Sequence, residues 1–290
     1  MAGSADMQDI KRRLRSVTSI EHITNAMKLV SAAKLRRAKK TFESTQEYFY
    51  FVMHNIDEIL NNSEDIPSKY LEGNTNINRT CYVVITSNRG LAGSFNANVI
   101  RRVEKYFRKT RQKPCFVCIG SKGKDYFARR GYEIVAEYMA PPENTAFEEV
   151  RDIIQPIIEL YNNDEIDEVI LISTSFISSL EQRVKITKLL PFTAARGRDT
   201  LTIDKQVEYE PSVEEVFNYM VPKYVEIMIY GAIVESATCE HAARRIAMEN
   251  ATDNAHTMME DLNLFYNRAR QSAITSELTE IVSGAEAIKG

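Results

Sequence analysis

The sequence predicts an α/β fold: a Rossmann-like, mostly parallel sheet flanked by long N- and C-terminal helices that form an antiparallel coiled coil. Three observations predict it. Residues 9–60 and 225–288 carry helical apolar spacing and contain no proline. Between them, β-branched-rich runs alternate with amphipathic segments, the pattern of strand–helix–strand units with parallel strands. The two ends also carry opposite charge. Residues 10–40 hold ten Lys/Arg and one acid, whereas residues 226–289 hold five Lys/Arg and ten acids. Such ends attract each other when side by side.

In the N-terminal stretch, Ile10, Leu14, Val17, Ile20, Ile23, Met27 and Val30 form an apolar stripe spaced by about 3.3 residues, short enough to favour left-handed wrapping about a partner. Basic residues occupy the other faces. From Phe42 the stripe turns aromatic, with Tyr48, Phe49 and Phe51. Asn61, Asn62 and Ser63, then Pro67, end the helix, and 72–78 is a polar loop. Strands are expected at 81–86, 115–119, 132–135, 169–173 and 184–190. Helices are expected at 97–111, 124–130 and 146–163. Ser212 with Glu215 reads as a capping box that starts the last helix, and Pro222 as a kink in it. Steps of three and four from Val234 give Ala237, His241, Arg244, Met248, Ala251, Ala255, Met258, Leu262, Phe265 and Ala269, an a/d seam rich in small residues. The seam skips and resumes at Ile274, Leu278, Ile281, Ala285 and Ile288. A helix over 225–288 reaches roughly 95 Å at about 1.5 Å per residue, so it projects and needs a partner. The domains are thus 1–62 (long helix), 63–77 (linker), 78–205 (α/β domain) and 206–290 (long helix).

Composition excludes several classes. Of 290 residues, 44% are hydrophobic and 27% charged, with a net charge of −3, as in a soluble protein of one or two domains. Four cysteines are too few for a disulfide scaffold. Cys115 and Cys118 form a C-x-x-C inside an apolar run, where a strand sends the two thiols to opposite faces; they read as core cysteines. No run approaches the ~20 apolar residues of a membrane span, and the start lacks the apolar core of a signal peptide.

Chemistry-bearing patterns are sparse. Gly120, Ser121, Lys122 and Gly123 lie where backbone amides hold phosphate, but without Walker spacing, so a plain strand-to-helix turn is the reading. The loop at 87–96 has glycines that fit no nucleotide fingerprint. His22, His54, His241 and His256 lack metal spacing. His241 and Arg244 are polar seam residues of the kind that set register or cover a neighbour. The basic N-terminal helix suits nucleic acid, an acidic protein or the acidic C-terminal helix. The residues alone give a two-helix shaft on an α/β base, a mechanical or scaffolding part.

Three stretches carry a resemblance. IKRRLRSVTSIEHITNAMKLVSAAKLRRAK at 10–39 is similar to the N-terminal helix of the gamma-subunit family of the F-type ATP synthase. SNRGLAGSFN at 87–96 resembles that family's S-D-R-G-L-C-G-G-F-N loop, departing at Asn88, Ala92 and Ser94. The stretch 230–288, with ITSEL at 274–278, resembles its C-terminal helix. The likeness covers nearly the whole chain. It implies a non-catalytic rotor without cofactor or metal. Its partners would be three alpha and three beta subunits, the epsilon subunit and the c-ring of the membrane sector, with no nucleic acid and no direct membrane insertion. The shaft would turn in the alpha/beta ring as ions cross the c-ring, driving ATP synthesis, or hydrolysis in reverse. The resemblance assigns torque contacts to Met27, Lys28, Lys34, Arg36 and Arg37. It assigns a catch on the catalytic subunit to Arg270, Gln271, Thr275 and Glu277, and a c-ring contact to Tyr209 and Glu210. Ala285, Ala287 and Ile288 would form the tip. Lacking a transit peptide and the chloroplast kind of cysteine-bearing insertion, the chain is expected on the cytoplasmic side of a bacterial cell membrane, as a peripheral protein.

Overall fold

A computed structural model describes residues 2–61, 66–73, 77–110, 112–139, 147–192 and 208–289. The expectations at 62–63, 74–76, 111, 140–146 and 193–207, including the expected end of the α/β domain at 205, lie outside these residues. In order, the elements are α1 (Ala2–Asn61), α2 (Lys69–Glu72), β1 (Arg79–Ile85), α3 (Phe95–Phe107), β2 (Lys113–Ile119), α4 (Ser121–Arg129), β3 (Glu133–Tyr138), α5 (Phe147–Asn162), β4 (Glu168–Phe176), β5 (Gln182–Leu190) and α6 (Val213–Lys289). The chain forms two compact units. One holds Met1–Ser31 and Arg245–Gly290, the other Ala32–Arg244.

The larger unit is built on one five-stranded sheet in the order β3-β2-β1-β4-β5. β1, β2, β3 and β4 run parallel, and β5 pairs antiparallel with β4. Alternation along the strands explains the layers. Val83, Ile85, Val117, Ile119 and Leu171 face α1, α5 and α6, where Val52, Ile56, Ile157, Phe217 and Val221 are fully or nearly fully buried. Tyr82, Val84, Phe116, Ile170 and Ile172 face α3 and α4, against Val99, Val103, Phe107 and Phe127. On that face Phe116 and Phe127 stack with centroids 4.2 Å apart. Cys115 belongs to the first cluster and Cys118 to the second, so the C-x-x-C thiols do point to opposite faces. Burial raises the Cys118 thiol to about 12, leaving a protonated, inert core group.

The long helices obey a seam, though not the one expected. In the larger unit Leu35, Ala38, Phe42, Thr45, Phe49, Val52, Ile56 and Ile59 turn inward at alternating three- and four-residue steps. In the smaller unit the same alternation gives Leu14, Val17, Glu21, Thr24, Lys28 and Ser31. Ile20, Ile23 and Val30 instead stand 49%, 59% and 57% exposed. On α6 the inward positions are Met248, Thr252, Ala255, Met259, Leu262, Tyr266, Ala269 and Ala273. These share every second position with the expected seam but replace Ala251, Met258 and Phe265 by the next residue. Met258 and Phe265 are over half exposed. Beyond Ala273 every described side chain to Ala285 is exposed, including Ile274, Leu278 and Ile281. The side chains of Ala287 and Ile288 lie outside the described set. The last helix starts as expected: the Ser212 hydroxyl accepts from the Glu215 N–H at 3.2 Å. It continues through Pro222.

Candidate functional site

Two regions hold the residues singled out by sequence. The first is the end of the sheet where β1 and β2 finish. Parallel sheets of this kind bind ligands at the carboxyl ends of strands, where the strand order reverses, and β1 is that point here. The chain itself occupies the available donors. At the start of α4, the Ser121 N–H donates to Asn88 Oδ1 (3.0 Å), the Lys122 N–H to the Ser87 carbonyl (3.1 Å) and the Gly123 N–H to Thr86 Oγ1 (2.9 Å). The amides that would cradle a phosphate are therefore spent on the loop after β1. Gly120 has φ +98°, and a Cβ there would lie 2.1 Å from the Thr86 carbonyl oxygen, so only glycine lets the two turns close this tightly. Asn88 also donates to the Met139 carbonyl at 2.8 Å, which the aspartate of the resembled loop, as a carboxylate, cannot do.

The crevice above β4 is covered by α6. Glu235 Oε1 accepts from Ser175 Oγ and the Phe176 N–H, and Ser236 Oγ accepts from the Thr174 N–H at 3.2 Å. Ala92, Phe95 and Cys239 form a small apolar cluster there. Arg244, 8% exposed, pairs with Glu240 at 2.7 Å and donates to the Gly90 carbonyl at 3.2 Å. Of the polar seam residues of this stretch, Arg244 covers a neighbour: it clamps the loop after β1 to α6. Sequence spacing named Arg244, whereas Asn88 stood only as a departure from the resembled loop; an amide in place of a carboxylate was the signal for its role.

The second region is the smaller unit. Thr18 donates to Met259 Sδ at 3.4 Å, Glu21 lies 3.6 Å from His256 Nε2, and Thr24 and Thr252 share a hydroxyl hydrogen bond of 2.8 Å. The numbers rise on α1 as they fall on α6, so the pair is antiparallel. Its seam mixes apolar side chains (Leu14, Val17, Met248, Met259, Leu262, Tyr266) with polar and small ones (Glu21, Thr24, Thr252, Ala255), while further apolar side chains stay exposed on both helices: Ile20, Ile23, Leu29 and Val30 on α1; Leu264 and Phe265 on α6, with Leu278 and Val282 beyond the seam. A monomer in water does not hold such a surface at its most favourable free energy. Met27 is half-buried beside the α1 seam and Lys28 half-buried in it, and Arg270, Gln271, Thr275 and Glu277 are exposed on α6. In the larger unit Lys34, Arg36 and Arg37 are exposed on α1. Tyr209 packs half-buried against the main core, and Glu210 is exposed. No cluster of His, Cys, Asp or Glu suited to a metal occurs among the described residues, and no described helix is long and apolar enough to cross a membrane.

Comparison with known proteins gives the architecture its family. The family profile described as ATP synthase matches residues 6–288. The ATP synthase gamma chain of Alkaliphilus metalliredigens is 43% identical over 287 residues, 98% of this chain and 99% of that protein. The chain belongs to the ATP synthase gamma chain family. A gamma chain of Acetobacterium woodii described as sodium ion specific is 37% identical, over 98% of this chain and 99% of its own length. Among solved structures, the central stalk/c-ring of the Tetrahymena thermophila mitochondrial ATP synthase superposes with a TM-score of 0.61 at 25% identity, over 79% of this chain and 99% of that one. A chain of the Euglena gracilis mitochondrial ATP synthase shares the fold, with a TM-score of 0.67 at 19% identity, over 98% of this chain and 95% of that one. This gamma chain therefore has the central-stalk fold, and its long helices pack as an antiparallel pair.

Proposed function

We propose that this chain is the central-stalk rotor of an F-type ATP synthase, coupling ion flow through a membrane c-ring to ATP synthesis or hydrolysis by rotating inside a ring of three alpha and three beta subunits. The observation that carries the reading is the arm's exposed apolar surface: polar Glu21, Thr24 and Thr252 take seam positions while Ile20, Ile23, Leu29, Val30 and Phe265 stay exposed. A two-helix arm with apolar side chains outside needs an enclosing partner.

The rotor does no chemistry itself. The strand ends where a nucleotide would sit are filled by the loop after β1 and by α6, so nucleotide turnover belongs to other subunits. Torque passes through Met27, Lys28, Lys34, Arg36 and Arg37 to an acidic segment of the beta subunit, and Arg270, Gln271, Thr275 and Glu277 act as the catch. Charge at such a contact sets register more than affinity. Tyr209 and Glu210, with the epsilon subunit, meet the c-ring. The protein is peripheral, on the cytoplasmic face of a bacterial membrane.

The test is reconstitution of purified alpha and beta subunits with and without this chain. The reading expects a six-membered ring with one copy of the chain and multi-site ATP hydrolysis, weakened when 274–290 are deleted. A chain that neither joins the ring nor alters its hydrolysis overturns the reading.

A further inference from the structure

A run of charge outside the arms is left unused by the rotor reading. Residues 97–130 hold eleven Lys/Arg and only two acids, in a chain whose net charge is −3. The fold gathers this run on one side of the sheet. α3 buries Val99, Val103 and Phe107, and α4 buries Phe127, against the same strand face, so the two helices turn their opposite sides to solvent together. Glu104 links them: it accepts from Tyr126 and lies 3.5 Å from Arg108 and 3.6 Å from Arg130. Lys124 is held by Glu137 at 2.5 Å. Arg111 lies outside the described residues and Lys113 begins β2, which leaves on the two helices and their ends Arg101, Arg102, Lys105, Lys109, Lys122 and Arg129, all exposed. None of the six has a carboxylate partner among the described residues.

We propose that this α3–α4 face docks on the anionic headgroups of a lipid bilayer. The inference rests on the rotor reading, which brings the chain beside a membrane-embedded ring. Six unpaired cations on one face set up a positive potential that raises the local concentration of an anionic partner. The composition of the face chooses that partner. It exposes no large apolar side chain, and its tyrosines, Tyr106 and Tyr126, are half-buried against the core. Protein interfaces need apolar or aromatic anchors, and single-stranded nucleic acid needs rings to stack on. A face with charge alone suits a fluid layer of headgroups, where attraction is diffuse and depends on the number of cations. A diffuse contact has no register, so it holds the base of a rotor near the membrane without stopping it from turning.

The experiment sediments the full chain with vesicles of phosphatidylcholine alone, and of phosphatidylcholine with phosphatidylglycerol as about a third of the lipid. Each Lys/Arg near such a surface contributes roughly fivefold in partitioning at low salt. Binding is expected only to the anionic vesicles, and lost on raising salt from about 0.1 M to about 1 M, where the Debye length falls to about 3 Å. The double variant R101E/K105E should bind at least tenfold more weakly. A second variant, R36E/R37E, reverses charge in the basic belt of α1 and should bind like the parent. Both variants are also assembled with alpha and beta subunits. If R101E/K105E joins the ring and supports hydrolysis like the parent yet loses vesicle binding, the lipid face is supported beside the rotor reading. Equal vesicle binding by R101E/K105E and the parent overturns the proposal and leaves the rotor reading intact. So does loss of binding only in R36E/R37E, or duplex DNA displacing the chain from vesicles at equimolar phosphate.

Discussion

Replacing Gly120 by alanine tests how tightly the two turns at the sheet's end are closed. Two costs add. Gly120 has φ +98° and ψ 138°, a region essentially reserved for glycine, and forcing a side chain there costs about 1–3 kcal/mol. The new Cβ would also lie 2.1 Å from the Thr86 carbonyl oxygen, 2.6 Å from its carbon and 2.9 Å from Oγ1. Two of these are backbone atoms, so the clash is relieved only by moving the end of β1 by roughly 1 Å relative to ordinary contact distances of about 3.5 Å. That movement loosens the Thr86 N–H to Ile119 bond (2.7 Å), the Gly120 N–H to Tyr138 bond (2.9 Å) and the Gly123 N–H to Thr86 bond (2.9 Å). At about 1 kcal/mol per hydrogen bond, losing two of three brings the total to about 3–5 kcal/mol. Gly131 is the internal control. It has φ +74° and nothing within 4 Å of a built Cβ, so Gly131→Ala carries only the backbone cost, about 1 kcal/mol. The assay is urea unfolding of the purified chain followed by circular dichroism, reading the shift in midpoint at constant slope. The reasoning fails if Gly120→Ala destabilises no more than Gly131→Ala.

The arm makes an opposite pair of predictions. Ile23→Gln alters a residue 59% exposed, so it should change the chain's own stability by less than about 0.5 kcal/mol while weakening activation of hydrolysis in the reconstituted ring. Thr24→Val removes a buried partner of Thr252 and should cost about 1 kcal/mol in the chain alone, read by thermal unfolding. Alkaline pH probes the larger unit. Burial, then neighbouring Tyr70, pushes Tyr161 up to about 12; burial, then Asp57, pushes Tyr224 up to about 12. Their unfolded value is about 10, so the folded state holds the protons more tightly, and the stability they contribute is full below pH ~10 and lost as pH rises towards 12. Phenolate absorbance should show tyrosines that ionise late and together with unfolding; titration of every tyrosine near pH 10 in a still-folded chain would refute this.

The sheet was legible in the sequence for a simple physical reason. Its central strands are buried on both faces, so runs such as 81–86 and 169–173 are largely apolar and stand out from helical spacing. All five expected strands occur; β1, β2 and β4 start one or two residues early because Arg79, Lys113 and Glu168 are polar yet still paired in the ladder, and β3 and β4 run three residues further than expected. The spent amides at the start of α4 were not legible. Nothing in Gly120 to Gly123 says that Asn88, more than thirty residues earlier, takes the first of them; that depends on β1 and β2 lying side by side in register.

The misplaced seam has a deeper cause. Periodicity analysis assumes that apolar residues mark the line along which a chain buries itself. In residues 10–31 the apolar line through Ile20, Ile23 and Val30 is real, but the helix turns Glu21, Thr24 and Ser31 to α6 instead. Thr24 meets Thr252, and Glu21 meets His256, so the partner's chemistry at those levels is polar and matches. On α6 the seam shifts by one residue, leaving Met258 and Phe265 outside and bringing Met259 and Tyr266 in. Two helices that leave Ile20, Ile23 and Phe265 exposed while Thr24 and Thr252 take seam positions are not optimised for each other alone. On the rotor reading the pattern in the sequence records burial in the assembled machine, and the chain by itself satisfies only the remainder. If so, swapping the two lines, with Thr24→Ile and Thr252→Ile inside and Ile20→Thr and Ile23→Thr outside, should raise the melting temperature of the isolated chain while weakening its activation of the ring. A swapped arm that activates as well as the parent would show that the outward apolar line has no partner to serve.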